Sequence, residues 1–203
     1  GHTDNNKTPG RLTRKTARKA MKTRRVVIHT GERFEVPQGI QRIDHRSTHG
    51  WQLRYAGTKL FSDGSHGAAA SLDAARRELL RRIATLPAPS RLQDRPSDHK
   101  RSGLPVGISG PVVRQRPGSQ TMHASLSVSI PRYGQVPQRR SVFIGTQNTY
   151  TPERFLSALA AAVSLREEAE SAYRLAATRA KRADARSLRT GGAAKRSGTR
   201  AKR

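Results

Sequence analysis

The 203-residue chain has no cysteine, one tryptophan, nine aromatic residues in all, and only 14 acidic residues against 40 lysines and arginines. Without cysteine there is no disulfide framework, no thiolate metal site and no cysteine nucleophile, which suits a reducing compartment. No apolar run approaches the roughly 18 residues of a membrane span, and none follows the basic start as a signal peptide requires. A soluble, cytoplasmic protein without a membrane partner is the expectation. Large apolar residues are also scarce. Leu, Ile, Val and Phe make up 36 of 203 residues, and with a net charge of +26 that composition falls within the disorder signature.

The scarcity is uneven. Residues 1–25 hold nine cations against Asp4, and residues 179–203 hold ten against Asp184, whereas the central 153 residues hold 34 of the 36 large apolar side chains. A disordered basic arm over 1–25, a disordered basic tail over 179–203 and a folded centre are expected. A chain this cationic favours polyanions, whose condensed counterions are released on binding. Nucleic acid is therefore the first partner to consider, and a nucleoid-associated location follows from it. An anionic membrane fits less well, because the ends lack the large apolar residues that an amphipathic membrane helix buries.

The periodicity of the centre divides it further. Val26 to His29 and Arg33 to Val36 flank Gly31 as a short hairpin, ended by Pro37, within a segment 26–38. From Gly39 two units follow one plan. In the first, residues 39–86, a short run beginning at Ile40 precedes Trp51-Gln52-Leu53-Arg54-Tyr55. Its strict alternation puts Trp51, Leu53 and Tyr55 on one face and Gln52 and Arg54 on the other. A third strand around Phe61 leads to a helical stripe of Leu72, Ala75, Leu79 and Ile83, with the helix arginines expected in solvent.

In the second unit, residues 107–178, Ala124, Leu126, Val128 and Ile130 alternate with Ser125, Ser127 and Ser129, and Arg140 to Gly145 forms the third strand. Thr151 as N-cap and Pro152 at the first helical position start a helix whose inner stripe includes Phe155 and Leu159. The two plans align Gly39-Ile40 with Gly107-Ile108, Phe61 with Phe143, and Leu72, Ala75 and Leu79 with Phe155, Ala158 and Ala162. Between them, residues 87–106 hold four prolines and are expected to form an extended linker. The fold class is thus α+β: two small modules, each a three-stranded antiparallel sheet on one helix, with disordered basic termini.

The run Gly39-Ile40-x-Arg42-Ile43-Asp44, Thr48-His49-Gly50-Trp51, Leu53-Arg54, Lys59-x-Phe61-Ser62-Asp63 and Gly67, followed by Ala74-Ala75-x-Arg77, resembles the bacterial and phage branch of the AP2/ERF-like DNA-binding domain. The second unit resembles a divergent copy that lacks the tryptophan. The resemblance implies that the outer face of each sheet lies in the DNA major groove. By position it implies Gln41, Ile43, Gln52, Arg54 and Lys59 as DNA-facing residues of the first module, with Trp51, Leu53 and Tyr55 toward the helix. In the second module it implies Arg114, Arg116, Ser125, Ser127, Ser129 and Arg140. The chemistry suits that role, since Arg bridges guanine O6 and N7, Gln pairs with adenine, and Lys holds phosphate.

The seven histidines show no paired metal-ligand spacing, Asp98-His99-Lys100 sits in the proline-rich segment, and no phosphate-binding Gly-rich loop or Ser-His-Asp set is present. The chain reads as a non-enzyme without metal or cofactor. The leading expectation is a sequence-preferring double-stranded DNA regulator of transcription or of a mobile element. The competing classes are an RNA-binding or ribosome-associated protein and a nucleoid architectural protein.

Overall fold

A computed structural model describes residues 21–191, so most of the N-terminal arm and residues 192–203 lie outside the described residues. The described residues are α+β, with three small antiparallel sheets and two helices. Strands β1 (Thr23–Val27) and β2 (Arg33–Pro37) form a hairpin. Strands β3 (Ile40–His45), β4 (Thr48–Arg54) and β5 (Thr58–Ser62) form the second sheet, backed by α1 (Gly67–Thr85). Strands β6 (Ile108–Gln115), β7 (Met122–Ile130) and β8 (Gln138–Thr146) form the third sheet, backed by α2 (Pro152–Gly191).

The alternation in the sequence sets which way each middle strand faces. Trp51 and Leu53 are fully buried and Tyr55 nearly so, against Leu72, Ala75, Leu79 and Ile83 of α1. Trp51 also donates its indole N–H to the Ala68 carbonyl at 2.8 Å, so the ring belongs to the core and its one polar atom is satisfied. In the second module Leu126 and Val128 are buried against Ala158 and Ala162. The Thr151 hydroxyl accepts the Arg154 N–H at 3.1 Å, which caps α2 where the Thr-Pro pair indicates.

The internal repeat extends to individual hydrogen bonds. Gly39 and Gly107 both have positive φ, each precedes a buried isoleucine, and each carbonyl accepts a 2.7 Å bond from the middle strand, from Arg54 N and Ser129 N respectively. A helix arginine then satisfies a carbonyl at the end of that strand: Arg82 donates to Tyr55 O, and Arg166 donates to Ser129 O. Each arginine is held by a glutamate one turn away, Glu78 or Glu170. Arg82 is therefore largely buried and Arg76 donates to the Glu35 carbonyl, which corrects the solvent-facing expectation for these two, while Arg77 and Arg81 are exposed as expected.

The two glycines differ in the room around them. A Cβ on Gly107 would lie 2.5 Å from the Arg166 guanidinium, whereas one on Gly39 would sit 3.6 Å from Leu79. Gly107→Ala is expected to destabilise by roughly 2–3 kcal/mol, from left-handed strain plus displacement of Arg166, and Gly39→Ala by roughly 1 kcal/mol. Urea denaturation of the two variants measures the difference, and equal losses would exclude the Arg166 contribution.

Several expectations about organisation are corrected. The hairpin is not a separate segment: Met21, Ile28 and Val36 join the first core, and Phe34 meets Trp51 edge-on with ring centroids 5.6 Å apart. The proline-rich segment is not a free spacer. Ala88 N donates to Thr178 Oγ1, Lys100 Nζ donates to the carbonyls of Pro105 and Ile108, and Leu104 is buried in the second core. Basic composition also misplaces the start of the tail, because residues 179–191 continue α2. There Ala185 and Leu188 pack into the first core, Arg182 donates to the Ile83 carbonyl, and Ser187 Oγ accepts Met21 N. One 40-residue helix thus backs the third sheet with its first half and braces α1 with its last turns. The signal was an alanine every few residues among the arginines, a pattern that composition alone obscures.

Candidate nucleic-acid interface

Strand register assigns every residue of the sheets to a face, because directly paired residues point the same way. On the side of the second sheet away from α1, cross-strand rows are His45–Thr48, Ile43–Gly50–Ser62, Gln41–Gln52–Leu60 and Arg54–Thr58. Gln41, Ile43, Gln52 and Arg54 are thereby brought together. Arg54 Nε donates to Gln52 Oε1 at 2.7 Å, which orients the guanidinium fork and leaves the Gln52 amide NH₂ free to donate outward. Gly50 is required in this face, since a Cβ there would lie 2.4 Å from the Phe61 carbonyl oxygen. Lys59 is not on it. It pairs with Leu53, on the helix side, with its ammonium 5.1 Å from the Phe61 ring centroid. The period-2 count from Phe61 puts Lys59 inward, and Leu60, exposed, takes the outer position.

The corresponding face of the third sheet has the rows Arg114–His123–Thr146, Val112–Ser125–Phe143, Ser109–Ser127–Ser141 and Ser129–Arg139. Arg114, Ser125, Ser127 and Ser129 lie on it together. Arg140 does not, since it pairs with Val128 on the helix side and its neighbour Arg139 takes the outer place beside Ser129. Arg116 lies beyond the end of β6, its carbonyl accepting the Ser119 N–H of the following turn. Phe143 is not the counterpart of half-buried Phe61. Regular alternation from Arg139 points Phe143 out and Ile144 into the core, and a bulge then pairs Ala124 with Gly145. The burial of Val142 and Ile144 on either side could have indicated this.

The electrostatics of both faces are one-sided. None of the residues in these rows is Asp or Glu. Residues 107–152 contain five arginines and no acidic residue. Arg114 and Arg139 stand at opposite ends of the third sheet, six residues apart along β7, or about 20 Å.

Asp44 and Asp63, the acids of the first module outside α1, lie on the helix side, in a clasp around the largely buried Arg42. Arg42, 6% exposed, bridges Asp63 at 2.6 Å and Asp44 at 2.8 Å while lying 4.9 Å from the Trp51 ring centroid. Asp44 Oδ1 also meets Nδ1 of His29 at 2.9 Å and of His49 at 2.8 Å, and the two imidazoles stack 3.8 Å apart. No sequence spacing links these histidines; the hairpin turn brings them together. Such a trio has the donor set of a metal site. Stacked rings cannot both aim an in-plane lone pair at one ion, however, and Arg42 already occupies the shared oxygen. The arrangement instead locks the hairpin to the sheet.

Burial pushes the Asp44 carboxyl up, but hydrogen bonds from Arg42, His49 and the His29 backbone hold it well below the usual carboxylate range. Asp63 is lowered too, mainly by its hydrogen bond from Arg42. Carboxylates depressed on folding contribute their full stability above the unfolded value near pH 4, and that contribution is lost as pH falls through the folded value. Asp44→Asn is expected to lower stability at pH 7 by roughly 1–3 kcal/mol. The gap from wild type should narrow below about pH 4, where the wild type alone loses the clasp. Thermal melts between pH 7 and pH 2 check this, and a gap independent of pH would show that the clasp contributes no charge term.

No family model, curated protein or solved structure matches the chain. Among the described residues, no helix is long and apolar enough to cross a membrane.

Proposed function

We propose that the protein binds double-stranded DNA with sequence preference, laying the acid-free faces of its two three-stranded sheets in the major groove. The observation that carries this reading is the sorting of charge by face. On a chain of net charge +26, the register puts Arg54, Arg114 and Arg139 outward among amides and hydroxyls, while Asp44 and Asp63 are turned to the helix side. Amide, hydroxyl and guanidinium groups are those that read base edges, and the basic ends of the chain add sequence-indifferent affinity through phosphates. The AP2-like resemblance of the first module points the same way, and a regulator of transcription or of a mobile element is the role it suggests.

Titrations of duplex DNA, single-stranded DNA and structured RNA over a range of salt test the proposal. A preferred duplex sequence should persist as salt weakens overall binding. Preference for RNA at every salt, or duplex binding without sequence choice, would each reject it. RNA is disfavoured by the sheets themselves, because recognition of unpaired bases uses two or three aromatics on one face. Of Phe, Tyr and Trp, the third sheet's outer rows have one, Phe143, and the second sheet's have none, with one histidine on each face.

A further inference from the structure

We infer that Phe143 is a specificity residue that reads the 5-methyl group of thymine; the inference rests on the duplex-binding reading above. The ring is 54% exposed in the middle of a strand. A single exposed apolar residue is ordinary, but this ring stands at the centre of an otherwise mostly polar sheet face. Its surroundings do not explain it as packing. Across the strand it faces Ser125, and the rows beside it are built from serine, His123, Thr146 and Arg114. The second core is complete without it, being formed by Ile108, Leu126, Val128, Ile144 and the α2 alanines. Regular alternation along β8 puts it outward with Arg139 and Ser141, and the bulge that follows at Ile144–Gly145 lies directly beside it. His123 supports one edge, with ring centroids 5.8 Å apart.

The occupant follows from charge and chemistry. Arg114 and Arg139 flank the ring on the two edge strands, about 20 Å apart along the sheet, which exceeds the roughly 12 Å width of a major groove. They are therefore placed to hold phosphates on either side, with the serine floor and Phe143 over the base edges. The one apolar group that a base pair offers in the major groove is the thymine methyl, and Phe is among the side chains that contact it. Val112, half-buried in the same row, extends the apolar strip. Stacking on several unpaired bases would call for further large aromatics on this face, and apart from the His123 imidazole the paired rows provide none.

The test replaces thymine by deoxyuridine, which removes the methyl and preserves base pairing. A preferred duplex is first selected from a random library with the full chain, and each thymine is then substituted in turn. Wild type is expected to lose about fourfold in affinity at one or two positions, the value of one buried methyl. Phe143→Ser and Phe143→Leu, both at an exposed site, should fold with unchanged circular dichroism. Phe143→Ser should bind the thymine duplex more weakly and be insensitive to the uracil substitution, while Phe143→Leu should retain part of the sensitivity. If a preferred duplex is found but no thymine matters, or Phe143→Ser stays as uracil-sensitive as wild type, this inference fails and duplex binding stands. Loss on Phe143→Ser confined to single-stranded ligands would overturn it in favour of base stacking. If no duplex is preferred at all, the functional proposal fails with it.

Discussion

A chain ending at Thr178 is expected to melt roughly 5–15 °C below the full chain, a loss of about 2–4 kcal/mol. The cut removes Ala185 and Leu188 from the first core, Arg182 from the Ile83 carbonyl, Ser187 from Met21 N, and Lys181 from above the Tyr55 ring. Groups of the first module more than 90 residues away in sequence thus lose their cover. A chain ending at Gly191 tests the alternative that residues 179–203 act only through charge. It lacks five of the ten cations of that segment, and every interaction just named remains. Its melting should be unchanged, its affinity for all duplexes should fall alike, and the slope of log affinity against log salt should flatten by about 0.9 for each phosphate no longer neutralised. Equal melting of the two truncations would exclude the brace.

Arg54→Ala is expected to cost about 1–3 kcal/mol of discrimination at one base pair, or roughly ten- to a hundredfold between the preferred base and the others, with little change in fold stability. The side chain is exposed, and its one fixed partner is Gln52 Oε1, so its removal leaves no buried group unsatisfied. Losing it also frees Gln52 to rotate, so the loss should centre on one position of the site and extend weakly to its neighbour. A uniform loss over every sequence would assign Arg54 to phosphate contact instead. Lys59→Ala serves as the internal comparison. Its register position on the helix side predicts no change in base preference.

The elements of this fold were legible because their periodicities are clean. Trp51-Gln52-Leu53-Arg54-Tyr55 and the serine-apolar alternation of β7 each fix a buried and an exposed face, and both are found as read. The Thr-Pro start of α2 is found as well. What was not legible depends on contacts between distant segments. The alanines among the arginines after residue 178 permit an extension of the long helix, but what holds it helical is packing on α1, which no local pattern shows. Likewise, the His29–Asp44–His49 clasp needs the hairpin folded back onto the β3–β4 turn before the three residues meet.

The site was legible in proportion to strand regularity. Gln41, Ile43, Gln52 and Arg54 fall on one face because β3 and β4 pair without interruption. Lys59 and Arg140 were misplaced for a common reason: alignment by family position or by unit repeat overrode the period-2 count from the nearest buried residue. Phe143 was misplaced in the same way: the repeat alignment matched it to Phe61 and overrode the period-2 count from Val142 and Ile144 on either side.

Amide chemical-shift mapping of the full chain with a selected duplex tests the central claim most directly. The largest perturbations should follow the outer rows, at Gln41, Gln52, Arg54, Leu60, Arg114, Ser125, Ser127, Arg139 and Phe143, with α1 and α2 little changed. Perturbations concentrated on the helices, with the sheet faces silent, would contradict it.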